Sequence, residues 1–308
     1  MKKVLVATDK PFAKVAVNGI KSIIEEGGFE FVLFEKYTDK SQLLEAVTDV
    51  NAIIIRSDII DKDVIEHAKN LEIVVRAGAG YDNIDLSAAT SKSVVAMNTP
   101  GQNSNAVAEL TIGMMVYIAR NCFDGSSGTE LRGKKLGLHA YGYVGRLVAE
   151  IAKGFNMEIY AFDPYIPKEK IEADGVKVVS DVKELYRTCQ YVSLHIPANK
   201  ETAKSINYDL LSVMPKGATL VNTARKEVID ETSLIKMFSE REDFRYITDL
   251  KPDCEKEIKE KFAGKYFCPP IKMGAQTSEA NINAGLAAAR QIVKFFKHND
   301  RTFMVNIL

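Results

Sequence analysis

The residues with the clearest chemical signature lie between Lys134 and Asp163. An apolar run, Leu136–Ala140, leads into Ala140-Tyr141-Gly142-Tyr143-Val144-Gly145 and then into a stretch of helical periodicity, Val144–Phe155. A glycine-punctuated turn between a strand and a helix offers backbone N–H groups and a helix N-terminus to phosphate oxygens. Gly142 lets the backbone approach a pyrophosphate, and Gly145 lets the helix pack close to the sheet. The pattern departs from a complete dinucleotide fingerprint at one place, where Ala140 stands for the first glycine. If that turn needs a positive φ, the methyl group costs about 1–2 kcal/mol. Asp163 closes the next strand, 18 residues beyond Gly145. A carboxylate there suits the hydroxyls of an adenosine ribose and repels a 2′-phosphate, which favours NAD over NADP. Read alone, Asp163-Pro164 is also an ordinary turn start.

Such groups need a scaffold, and the pattern of the chain supplies one. Short apolar runs (Val4–Ala7, Phe29–Phe34, Ala52–Ile55, Ile73–Val75, Val94–Met97) alternate with amphipathic stretches such as Ala13–Glu26 and Lys62–Lys69. A second series runs through Leu136–Ala140, Glu158–Phe162, Tyr191–His195, Thr219–Asn222, Tyr246–Leu250 and Tyr266–Cys268. This βαβα order predicts an α/β protein: two doubly wound, Rossmann-like parallel-sheet domains with a cleft between them. Ala106–Arg120 reads as a long apolar helix, Asn121–Thr129 as a loop, and Glu279–Phe296 as a returning helix before a final extended piece. Residues 1–97 with 281–308 are expected to form a substrate-binding domain, and 98–280 an NAD-binding domain.

Composition narrows the partners. The 308 residues carry 41 Lys+Arg and 41 Asp+Glu, so no net charge attracts nucleic acid or an anionic membrane. A small anionic substrate fits better. The four cysteines form no CxxC pair, no metal-ligand spacing is evident, and no apolar window reaches a membrane span. A reducing, cytoplasmic setting is the expectation.

Further stretches carry a family resemblance. Arg56-Ser57, VRAGAGYDNID from Val75, NTPGQNSNAVAEL from Asn98, LHIPANKETAKSIN from Leu194, VNTARKEVIDE from Val221 and PPIKMGAQTSEA from Pro269 follow in order. With the dinucleotide segment they resemble the D-2-hydroxyacid dehydrogenase family, most closely its members acting on 3-phosphoglycerate in serine biosynthesis. The resemblance implies hydride transfer between substrate C2 and NAD. It places Arg225 on the substrate carboxylate, a role suited to a planar guanidinium fork. It makes Gly78, Ala79 and Gly80 a backbone cradle for the same carboxylate, sets Arg56 and Ser57 on the phosphate, and leaves Arg76 either there or structural. On the cofactor side it adds Tyr141, Tyr143, Val144, His195, Pro197, Thr223, Ala224, Asp249 and Gly274. It also implies a homodimer, for which Ala106–Arg120 is an interface candidate, although Asn121–Ser127 is shorter than usual. Before Leu308 there is no room for the C-terminal regulatory domain of some relatives, so feedback through one is not expected.

The main departure concerns proton transfer. The family's general acid/base is a histidine, and Lys272 occupies that position. The histidine's usual glutamate partner falls at Cys254, flanked by Asp253 and Glu255. A carboxylate beside a lysine raises a pKa already about 10.4 and hinders its use as a base. Losing the close acid while keeping Arg225 nearby lowers it instead. Lys272 is therefore the expected general acid/base, with oxidation favoured at alkaline pH and Glu255 as an assistant. Two other readings stay open: a hydroxypyruvate, glyoxylate or other 2-hydroxyacid reductase, and an NAD-sensing interaction protein that has lost catalysis.

Overall fold

Runs of β-branched residues buried on both faces build two separate parallel sheets in the computed structural model, which describes residues 1–308. The chain divides into two compact units, Met1–Asn103 with Gln276–Leu308, and Ser104–Ala275. These divisions lie a few residues from the expected 97/98 and 280/281. No helix is long and apolar enough to cross a membrane.

In the first unit, β1 (Lys3–Thr8), β2 (Glu30–Glu35), β3 (Ala52–Ile55), β4 (Ile73–Arg76) and β5 (Val95–Asn98) lie in the order β2-β1-β3-β4-β5. Alternate residues of β1 serve opposite faces. Leu5 and Ala7 join the core beneath α2 (Lys40–Ala46), α3 (Lys62–His67) and α4 (Leu86–Ser91), whereas Val4 and Val6 face α1 (Lys14–Glu26). The three short helices each start on an aspartate. Asp39, Asp61 and Asp85 accept the amides of Ser41, Val64 and Ala88, satisfying donors that a helix start leaves open.

The second unit opens with α5 (Ser104–Ala119) and continues through β6 (Lys135–His139), α6 (Tyr143–Gly154), β7 (Glu158–Phe162), α7 (Lys168–Ala173) and β8 (Lys177–Val178). Then come α8 (Val182–Thr188), β9 (Tyr191–Leu194), α9 (Tyr208–Leu211), β10 (Thr219–Asn222), α10 (Glu231–Glu240), β11 (Arg245–Thr248), α11 (Glu255–Lys261) and β12 (Tyr266–Phe267). The sheet order is β12-β11-β10-β9-β6-β7-β8. The chain then returns to the first unit as α12 (Ser278–His298), whose Ala288 and Ile292 pack beside Ile20 and Ile24 of α1.

Strand ends differ from the sequence reading for local reasons. β6 stops at His139 because Ala140 adopts φ 83°. β11 stops at Thr248, whose hydroxyl donates to the Asn222 carbonyl and receives the Leu250 amide, turning the chain. The expected extended C-terminus is instead a series of turns after Asn299 (φ 51°), with one bridge, Met97 to Met304. The side chain of Asn306 replaces a strand by bonding the Ala96 amide and the Val94 carbonyl. The loop after α5 opens with three left-handed residues, Asn121 to Phe123.

Candidate active site

The turn after β6 is held by Asp163. One of its carboxylate oxygens accepts the Tyr141 amide at 2.7 Å. The other accepts the amides of Tyr165 and Ile166 at 2.8 and 3.1 Å. Asp163 thus anchors both the turn and its own loop, so its two sequence readings, ribose ligand and turn former, are not exclusive. Gly145 has no room for a side chain, since a Cβ would stand 2.5 Å from the Ala140 carbonyl oxygen. The strain at Ala140 and the bare Gly145 are one feature: the φ of Ala140 aims its carbonyl at the first turn of α6.

Beside this turn lies a cavity of about 470 Å³, lined by Ala140, Gly142, Asp163, His195 and Pro197. Tyr141 instead points into the core, with its hydroxyl on Asp174, and Tyr143 is exposed. His195 is half-buried with its Nε2 shielded from solvent, and its pKa is pushed down to about 3 by burial and then by His139. Burial likewise lowers His139 to about 4, and Tyr186 bonds its ring. Both imidazoles are neutral near pH 7, and the Nε2 of His195 is buried without a partner. Sequence reasoning missed the far wall, where Phe162, Tyr165, Ile166 and Thr202 also line the cavity. The signal was the Asn199–Thr202 spacing: Asn199 Oδ1 caps the amides of Glu201 and Thr202 and shapes the loop after Pro197.

A second cavity in this unit, about 310 Å³, brings Arg225, Asp249 and Lys272 together. Asn222, fully buried at the end of β10, builds the turn that presents Arg225. Its amide nitrogen donates to the Arg225 carbonyl and its oxygen accepts the Ala224 amide. Thr223 is pinned to Thr111 of α5 through their hydroxyls at 3.1 Å. The guanidinium spends one contact on the Ala224 carbonyl. Asp249, at the end of β11, accepts the amides of Met273 and Gly274 at 3.2 and 2.7 Å and so fixes the segment that carries Lys272. Its other oxygen is buried without a partner, and burial raises its pKa, against the opposing charge of Lys272. The expectation that Lys272 has no acid close by is therefore corrected: the acid is Asp249, and its own burial weakens its hold on the proton balance.

Glu255 does not line this cavity. It is claimed by Lys259 and Lys251 at 2.9 and 3.1 Å, and these bonds lower its pKa. Asp253 pairs with Lys226. Neither acid stands in for the missing glutamate.

In the first unit Arg56 and Arg76 are neighbours, because the Arg76 Nε donates to the Arg56 carbonyl at 3.0 Å. The Arg76 guanidinium lies where a side chain at Gly78 would be, so a larger residue there would have to displace it. Asn98 holds the Ala79 carbonyl at 2.6 Å, and the amides of Ala79 and Gly80 bond no other group of the chain. Arg56 is less available than expected. It gives hydrogen bonds to the Lys10 and Pro11 carbonyls and to Asn281, leaving two of its five donors uncommitted. Ser57 is exposed.

These residues fit a dinucleotide: a turn that excludes a Cβ, a helix N-terminus, and two buried polar atoms without partners, His195 Nε2 and Asp249 Oδ1. Comparison agrees. Residues 114–262 match the NAD binding domain of D-isomer specific 2-hydroxyacid dehydrogenase. A D-3-phosphoglycerate dehydrogenase of Methanocaldococcus jannaschii is 35% identical over 282 residues, which are 87% of this chain and 54% of that protein. The chain thus spans about half the length of this relative and of several others. A hydroxypyruvate reductase of Thermotoga maritima is 30% identical over 86% of this chain and 91% of its own. The NAD+-bound crystal structure of 3-phosphoglycerate dehydrogenase from Entamoeba histolytica superposes with a TM-score of 0.89 and 47% identity, covering 100% of this chain and 99% of that one. The geometry and these matches agree that the chain belongs to the D-isomer specific 2-hydroxyacid dehydrogenase family and carries its NAD-binding domain.

Proposed function

We propose that this protein oxidises 3-phosphoglycerate at C2 to 3-phosphohydroxypyruvate, with Lys272 as general acid/base and Arg225 on the substrate carboxylate. The observation that carries this reading is the meeting of Arg225, Asp249 and Lys272 at one cavity, at the ends of β10 and β11 and on the segment Asp249 fixes. Bound NAD supplies the hydride acceptor. Gly142, Gly145 and the start of α6 would hold its pyrophosphate, Asp163 a ribose, and His195 and Asp249 further polar groups. The uncharged Lys272 amine takes the hydroxyl proton in oxidation and returns it in reduction. Oxidation therefore gains as pH rises and more of the amine is free. Arg225 holds the carboxylate so that C2, which carries the hydroxyl and gives up the hydride, stays in register. The Ala79 and Gly80 amides are assigned to the carboxylate as well, and Arg56, with Arg76, to the phosphate. A homodimer belongs to the same reading, supported by the half-exposed apolar strip of Leu110, Val116 and Tyr117 on α5 beside exposed Phe123.

The test is NADH formation with 3-phosphoglycerate across pH in wild type and Lys272→Ala. Loss of a proton-transfer group is expected to lower kcat about 10²–10⁴-fold and to flatten the alkaline rise. A fall of less than about tenfold would sink the assignment of Lys272. The commitment of Arg56 to Lys10, Pro11 and Asn281 favours one second reading, a reductase of hydroxypyruvate or glyoxylate, which carry no phosphate. A substrate panel of 3-phosphoglycerate, D-glycerate, glyoxylate and D-lactate separates the two.

A further inference from the structure

The first unit holds a cavity that the proposed reaction does not use. It measures about 200 Å³ and lies between the end of β5, the α12 face and the turns after α12. At about 30 Å³ per water it has room for a metabolite of fewer than about ten non-hydrogen atoms. Met97, Ala287 and Phe303 give it an apolar wall, and its polar lining carries both cations and acceptors.

The donors come from α12. Arg290 and Lys294, one turn apart on α12, both line the cavity, and no carboxylate pairs with Arg290. Acceptors line it as well, with Asp300 close enough to Lys294 to feel its charge. Gln291 is 8% exposed, and its Nε2 donates to the Asn98 carbonyl at 3.0 Å. That bond fixes the orientation of the amide, because a carbonyl accepts only from nitrogen. Its Oε1 is then a buried acceptor with no donor, a state that costs about 1–3 kcal/mol unless something fills it. Asp300 adds a carboxylate. One of its oxygens takes both the amide and the hydroxyl of Thr302, which leaves the other without a hydrogen bond. A plain anion would satisfy the cations and meet Asp300 with like charge. A plain amine would do the reverse.

We infer that this cavity binds a small zwitterion, an α-amino acid with a short apolar side chain, its carboxylate on Arg290 and Lys294 and its ammonium on Gln291 Oε1 and Asp300. The side chain lies on Met97, Ala287 and Phe303.

Titration calorimetry of the whole protein with L-alanine, propionate and ethylamine tests this without any reaction. The expected result is saturable one-to-one binding of L-alanine, with propionate and ethylamine each at least about tenfold weaker. The double variant Arg290→Ala/Lys294→Ala changes only exposed side chains and is expected to bind L-alanine at least about tenfold more weakly. No saturable heat below about 20 mM L-alanine would overturn the site. Unchanged affinity in the double variant would overturn its location, and propionate binding as tightly as L-alanine would overturn the ammonium contact.

Discussion

The two sheets share a topological feature and use it differently. In each, all strands run parallel but the order in which they are laid down reverses beside the first strand: between β1 and β3 in one unit, between β6 and β9 in the other. Connections leave such a point to opposite faces of the sheet, and a crevice opens at the strand ends. In the second unit the crevice is kept open by Gly142 and Gly145 and walled by a neutral His195. In the first unit the turn after β1 has no glycine, and the Arg56 guanidinium occupies the Lys10 and Pro11 carbonyls over the ring of Phe12. Topology provides the crevice, and a few side chains at its crest decide whether a ligand or the protein fills it.

The sharpest way to break this contrast is to fill the open crevice. A Gly145→Val side chain would force the Ala140 carbonyl away, and overpacking of that kind costs about 1–3 kcal/mol. NADH affinity by fluorescence titration is expected to fall about hundredfold. Retained affinity would show that the turn does not carry the cofactor.

His139 and His195 give the next largest effect. Their folded pKa values, about 4 and about 3, lie below the unfolded value of about 6.5. Their neutral forms favour the fold fully above pH 6.5, and stability falls as pH drops toward 4. The slope approaches 1.4 kcal/mol per pH unit for each histidine, so a loss of about 3 kcal/mol for the pair is expected between pH 6.5 and 5. Thermal melts at the two pH values measure it, and His195→Leu should remove about half of the loss.

In the filled crevice, Arg56→Met strands the carbonyls of Lys10 and Pro11. An expected destabilisation of about 1–2 kcal/mol marks the guanidinium as a plug, and an unchanged melting temperature would deny it. On the proposed reading, its two uncommitted donors predict a separate rise of about tenfold in KM for 3-phosphoglycerate. The smallest effect belongs to Ala140→Gly. Relief of a positive φ is worth about 1–2 kcal/mol, and glycine's extra unfolded-state entropy returns about 0.5–1 of it. A gain near 0.5 kcal/mol, a degree or two in Tm, is expected.

Most of the scaffold was legible because its strands are short apolar runs with a turn at each end. Ala52–Ile55, Glu158–Phe162 and Thr219–Asn222 are strands over those residues. What escaped the sequence was where side chains spend their hydrogen bonds. Nothing in Arg56-Ser57 says that Asn281, 225 positions away, takes one of the guanidinium donors. Cys254 marked the family's glutamate as missing, but only the fold shows Glu255 held by two lysines and Asp249 beside Lys272. The cost of Ala140 was readable in advance, since the motif itself demands an unusual φ there.

The return of the chain at Gln276 has a consequence in time. The inner face of α1, with Ile20 and Ile24, is covered by α12, which is made only after the whole second unit. At about 5–20 residues per second, ribosomal synthesis of the intervening 172 residues takes about 10–30 s. During that interval the second unit can fold to completion, whereas the first-made strands wait with one face bare. Nascent-chain aggregation and chaperone capture should therefore concentrate on the N-terminal hundred residues, the segment that emerges first and finishes last.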